Sequence, residues 1–178
     1  MGVLFDDWMD AHLHNGIVVS IALIVYGIAF ILVERGNRGN YLKQTQSVYD
    51  ISYKTAIMIG LFQCLSLIPG TSRSGSTILG AILIGVSRSA GAEFSFFMAI
   101  PTMLGASAIK GLKFLLSGVT ATNMEITVLV VGSVVSFIVS LLVIKALMEY
   151  VRKHSFAVFG VYRIILGIIV LGYFWLIG

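Results

Sequence analysis

The chain has 178 residues, of which 58% are hydrophobic and only 11% charged. A soluble domain carries about 25% charged residues, and a body of this size has no way to hide so much apolar surface from water. The net charge of +4 is scattered at the ends of apolar runs, which excludes a nucleic-acid-binding patch and matches the distribution of basic residues that flank membrane helices.

Residues 1–15 hold Asp6, Asp7 and Asp10 and no Lys or Arg, so they lack the basic start of a signal peptide. The first apolar run, Gly16 to Val33, is long enough to cross a bilayer. A polar loop, Glu34 to Asp50, follows with Arg35, Arg38 and Lys43. Ile51–Pro69 and Ser76–Val86 are apolar stretches, separated by the polar segment Gly70–Gly75, and neither makes a comfortable full span. Two short helices broken at a Pro-Gly point predict a re-entrant hairpin, covering 51–86, whose tip lies at membrane depth. Three more spans follow at Ala90–Ile109, Ile126–Leu147 and Phe156–Ile177. Pro101 is expected to kink the first of them. The small-residue groups Gly105–Ala108 and Gly132-Ser133 are expected to allow close helix packing. Cys64, the one cysteine, is expected to be a small buried hydrophobe. The fold class is therefore all-α: one polytopic helical membrane domain over 1–178.

Basic residues set the orientation. With the Arg35–Lys43 loop cytoplasmic, the hairpin returns to that side beside Arg88, and Lys145, Arg152 and Lys153 fall there too. Only Lys110 and Lys113 lie outside, and both termini are expected outside.

The densest polar cluster at membrane depth runs from Pro69 to Thr77. An arginine in the bilayer is costly unless paired, and the fork of Arg73 matches phosphate oxygens bidentately. Gly70 and Gly75 permit close backbone approach, while Thr71, Ser72, Ser74 and Ser76 offer hydroxyl donors. A helix beginning near Ser74 would aim its first N–H groups at the same anion. The plainer alternative makes Thr71 and Ser72 a helix cap and lets Arg73 snorkel to headgroups. So many donors exceed what one cap requires, and the cluster asks for a phosphate or diphosphate.

Other candidates carry less. Glu93 either pairs with Arg73 or Arg88 inside the bundle or serves as a first-turn acid. Gln63 reads as a polar link across the hairpin. Arg163 reads as a snorkelling residue ahead of a substrate contact, and Ser87-Arg88-Ser89 as a loop at the headgroups. Tyr173, Phe174 and Trp175 form an interfacial belt. His12, His14 and His154 lie in polar flanks.

Pro69-Gly70-Thr71-Ser72-Arg73-Ser74-Gly75 matches the PGTSRSG signature of the undecaprenyl-diphosphate phosphatases, also called bacitracin-resistance proteins. Gly60–Gln63, Ala92–Phe96, Ala99–Pro101 and Tyr162–Ile164 resemble the same family. The resemblance implies a two-repeat inverted fold, of which this chain looks like the second repeat plus one helix. It implies hydrolysis of a polyprenyl diphosphate to the monophosphate in the bacterial inner (plasma) membrane, for recycling of the lipid carrier of cell-wall synthesis. By resemblance, Arg73 holds the diphosphate, and Ser72 and Ser74 bond it or supply the nucleophile. Gly70, Thr71, Gly75 and Ser76 complete the substrate site. Mg²⁺ or Ca²⁺ is implied as cofactor, but the family's Glu-x-x-x-Glu motif is absent here, Gln63 stands on the comparable helix, and no metal ligand is identifiable. A missing N-terminal half, or a second copy of the chain, is therefore an expected partner beside the lipid and the membrane. Two other readings are a lipid-phosphate binding or flipping module without hydrolysis, and a truncated chain that only folds or dimerises.

Overall fold

The computed structural model describes residues 15–36, 44–118 and 121–177. The loop residues Arg38 and Lys43, and the N-terminal His12, His14 and acidic residues, lie outside that set. Among the described residues six α-helices succeed one another: α1 (Gly16–Gly36), α2 (Tyr53–Cys64), α3 (Arg73–Ile84), α4 (Arg88–Leu116), α5 (Asn123–Lys153) and α6 (Ala157–Ile177). Among the described residues, α1, α4, α5 and α6 are long and apolar enough to cross a membrane, and the chain is a multi-pass membrane protein.

Local chemistry sets the boundaries. Ser52, Ser87 and Thr122 cap α2, α4 and α5 with their hydroxyls, and Glu125 closes a capping box on Thr122. Gly85, in the left-handed region at φ 96°, ends α3. Pro101 sits inside α4, and the helix runs through it.

The predicted hairpin is α2 and α3 packed together, with a 3₁₀ turn (Leu65–Leu67) at its tip. Each helix has 12 residues, about 18 Å at 1.5 Å per residue, too short for a hydrocarbon core of about 30 Å. The two ends of the hairpin are stitched together: the Thr45 amide donates to the Gly85 carbonyl at 3.0 Å, and the Ser87 amide donates to Thr45 at 2.9 Å. The hairpin thus leaves and returns at one level. Its far end reaches α1 at Val19, where the space around Gly70 closes.

α1 and α6 form the closest helix pair of the molecule and run antiparallel, with Gly16 against Phe174, Gly27 against Gly160, and Gly167 against Ser20 and Ile24. A side chain at Gly160 would begin 2.7 Å from the Gly27 carbonyl oxygen, so backbone meets backbone there. This packing was expected of Gly105–Ala108 and Gly132-Ser133. Instead Gly105 and Gly132 have nothing within 4 Å of a would-be side chain, because α4 and α5 are splayed over that stretch. Cys64 is likewise exposed, not buried.

At one end of the bundle Arg88 joins three elements. Its guanidinium pairs with the buried Glu34 of α1 at 2.9 Å and donates to the His154 carbonyl between α5 and α6 at 3.3 Å. Ser87-Arg88-Ser89, read from sequence as a headgroup loop, is therefore a helix cap and a clamp. Gly16 and Phe174 lie at the opposite end, so α1 begins where α6 finishes.

Candidate anion site at the hairpin tip

The signature Pro69–Gly75 forms the turn into α3. Gly70 has φ 93°, and a Cβ there would lie 2.6 Å from the Val19 carbonyl oxygen, so both conformation and space require glycine. Ser72 also has positive φ, 62° with ψ 128°, the one such non-glycine residue among those described. Backbone strain of this kind costs about 1–3 kcal/mol and gathers at ligand clamps. The strained backbone turns the Ser72 hydroxyl onto the Gly75 amide at 3.3 Å, capping α3. The amides of Arg73 and Ser74 begin the helix, ahead of any intrahelical acceptor.

The polar side chains divide into two sets. Thr71 is buried, and its hydroxyl lies 3.0 Å from the Leu65 carbonyl and 2.8 Å from that of Ile68. Ser76 is buried too, against the Tyr26 hydroxyl at 3.3 Å and the Ser72 carbonyl at 3.2 Å. Both were expected to bind substrate; in the structure their hydroxyls hold the turn and dock α3 to α1. Thr77, beneath them, meets Ser95 of α4 at 2.6 Å. Ser72 and Ser74, by contrast, stay exposed, 3.4 Å apart. Arg73 is half-buried between the sets, and its Nη1 is buried with no hydrogen-bond partner.

Arg163 is the residue that sequence reasoning misjudged. It does not snorkel. Its Nη1 donates to the Thr71 carbonyl at 3.0 Å, and its guanidinium lies over the Phe30 ring, 5.6 Å from the centroid. A Cβ at Gly75 would stand 3.0 Å from Nη2 of Arg163, so the second glycine of the signature makes room for this guanidinium. The available signal was an arginine inside an apolar run, well away from either end. Ser74, Gly75, Ser95 and Arg163 line a cavity of about 150 Å³, whose other walls are apolar side chains including Phe96 and Phe156.

Two other candidates are not brought to the tip. Glu93 lies on a groove between α4 and α5 that also holds Arg152, and Arg88, one of its anticipated partners, pairs with Glu34. Gln63 reaches Thr102 of α4 at 3.4 Å, not its partner helix across the hairpin.

The donor set is one-sided. It consists of two guanidinium groups, hydroxyls and helix-start amides, all suited to an anion. Mg²⁺ and Ca²⁺ take carboxylate and carbonyl oxygens. The cavity lining carries no Asp, Glu or His, and among the described residues no group of three such side chains or cysteines is gathered to hold a metal. These residues fit a phosphate and do not by themselves fit a divalent cation.

The family model described as "Bacitracin resistance protein BacA" matches residues 1–169. The chain belongs to that family. Among its relatives, an "Undecaprenyl-diphosphatase" of Enterococcus faecalis is 61% identical over 171 residues, 96% of this chain and 60% of the relative. One from Streptococcus thermophilus (strain CNRZ 1066) is 58% identical over 97% of this chain and 59% of its own length. An "Undecaprenyl-diphosphatase 1" of Clostridioides difficile (strain 630) is 58% identical over 99% of this chain and 62% of its own. The chain thus spans about three fifths of the length of these BacA-family relatives.

Proposed function

We propose that this chain forms the diphosphate-binding part of an undecaprenyl-diphosphatase, which hydrolyses a polyprenyl diphosphate to the monophosphate in the bacterial plasma membrane. The observation that carries the reading is the buried, unpartnered Nη1 of Arg73, a residue flanked in sequence by two exposed serines at a helix start. A buried guanidinium nitrogen without an acceptor is costly, and a phosphate oxygen would satisfy it. The family membership and the names of the relatives point the same way.

In this reading Arg73 and the amides of Arg73 and Ser74 hold the non-bridging oxygens. Arg163 braces the turn from below through Thr71 and adds positive charge beneath it. Charge that develops as the terminal P–O bond breaks meets these fixed donors, with no reorganisation needed. Ser72 or Ser74 as nucleophile requires a base to take its proton. The described residues place none at the tip, so turnover depends on a group from outside them, either another part of a longer chain or a second copy. The purified 178-residue chain is therefore expected to bind diphosphate but release little phosphate.

The test is binding of inorganic diphosphate and of a prenyl diphosphate to the detergent-purified chain. Arg73→Lys should weaken both by about 1–3 kcal/mol, the worth of a charge-assisted hydrogen bond, because a point charge cannot copy the fork. Unchanged affinity would remove Arg73 from the site.

The orientation follows from the same frame. Arg35, Arg88, Arg152 and Lys153 share one end of the bundle, which supports that end as cytoplasmic and the hairpin tip as facing outward. In a Cys64→Ala background, Asn123→Cys should react with an impermeant thiol reagent from outside, and Lys153→Cys should not. The opposite pattern would reverse the orientation.

A further inference from the structure

Beside the anion cavity runs a groove that the reaction itself leaves without a role. It has a volume of about 800 Å³ and lies between α4 and α5. Phe96, Ile100 and Met103 on α4 face Phe137, Ile144 and Met148 on α5. Glu93 and Arg152 stand at one end, and the rest of the wall is almost wholly apolar. Glu93 and Met103 are ten residues apart on one helix, so the slot is roughly 15 Å long or more.

The groove meets the cavity at Ser74, Gly75 and Arg163 through a single shared side chain. Phe96 lines both the cavity that holds Ser74, Gly75 and Arg163 and the groove. α5 also serves both, presenting Leu147 and Val151 to the cavity and Met148 and Arg152 to the groove. A molecule with an anionic head at the hairpin tip therefore finds a long apolar slot one aromatic ring away. From this continuity we propose that the α4–α5 groove binds the isoprenyl chain of the diphosphate substrate, with Phe96 as the side chain it passes. The inference rests on the diphosphate reading above for the head group, and on the groove itself for the tail. Burial of the chain against these walls supplies affinity in proportion to apolar area removed from water or from poorer packing in lipid.

The experiment uses the 178-residue chain in phosphatidylcholine nanodiscs, with three probes: inorganic diphosphate, farnesyl diphosphate and a benzophenone-bearing farnesyl diphosphate. Farnesyl diphosphate should bind at least tenfold more tightly than inorganic diphosphate. Ala99→Trp and, separately, Ser140→Trp narrow the groove and should each reduce that ratio at least fivefold. The photoprobe on the unaltered chain should label residues between 93 and 103 or between 137 and 152, and excess farnesyl diphosphate should remove the label. Retention of the full ratio in both variants would overturn the proposal. So would label confined to other helices, or groove label that persists under excess farnesyl diphosphate, which marks an ordinary acyl-chain site. The head-group reading fails separately. If inorganic diphosphate does not bind but competed groove label remains, the groove stands and the anion site falls; diphosphate binding without groove label gives the reverse.

Discussion

The two halves of this bundle use similar residues to opposite ends. α1 and α6 are studded with glycine, and Gly27, Gly160 and Gly167 each bring one helix backbone against the other. α4 and α5 carry Gly105, Gly111 and Gly132 in comparably apolar runs, yet nothing approaches within 4 Å of any of them. Every described residue of 100–118 and 121–146 is exposed, whereas Phe30, Ile78, Leu79, Ile82, Ala92, Val151 and Phe156 make one buried cluster. Small residues thus permit close packing but do not cause it. The α1–α6 pair also carries the hairpin tip, through the close approach of Gly70 to Val19 and through polar contacts to Tyr26 and Arg163.

That contrast can be broken most forcefully at Gly160. Gly160→Leu drives a side chain into the Gly27 carbonyl and should destabilise the protein by about 3 kcal/mol or more, at or above the upper end for overpacking. Gly132→Leu, in open space, should fall within about 0.5 kcal/mol of the parent. Thermal unfolding in detergent compares them, and equal losses would erase the distinction between the two halves. A smaller effect sharpens the link between packing and the site. Gly75→Ala crowds the Arg163 guanidinium and should weaken diphosphate binding by about 1 kcal/mol, the net worth of one hydrogen bond, with little change in unfolding temperature. Gly111→Ala serves as its open-space control, and a matching loss there would show that the Arg163 cradle is irrelevant.

The parts of this architecture that are local were legible in the amino-acid order. The spans follow from length and apolarity, and the hairpin from a Pro-Gly break between two runs too short to cross. The candidate anion site was legible because its residues are contiguous, from Gly70 to Gly75. What escaped depends on residues far apart in the chain. Arg163 meets Thr71 across 92 positions, and Arg88 meets Glu34 across 54; no periodicity reports such pairs. The internal partners of Thr71 and Ser76 escaped for a related reason. A hydroxyl in a signature looks the same whether it faces a ligand or its own turn, and only the packing of α3 on α1 decides between them.

The bond between Arg163 and Thr71 also sets an order of events in biogenesis. The ribosome adds about 5–20 residues per second, so Arg163 emerges roughly 5–18 s after Arg73. Until α6 has crossed the bilayer, the glycine face of α1 lacks its partner and the hairpin tip lacks its brace. The hairpin is too short to hold itself across a membrane and is stitched only at its base. α6, made well after the hairpin, is thus the helix that fixes the tip in place, and a nascent chain stalled before it presents to quality-control proteases an arginine at membrane depth with neither ligand nor support.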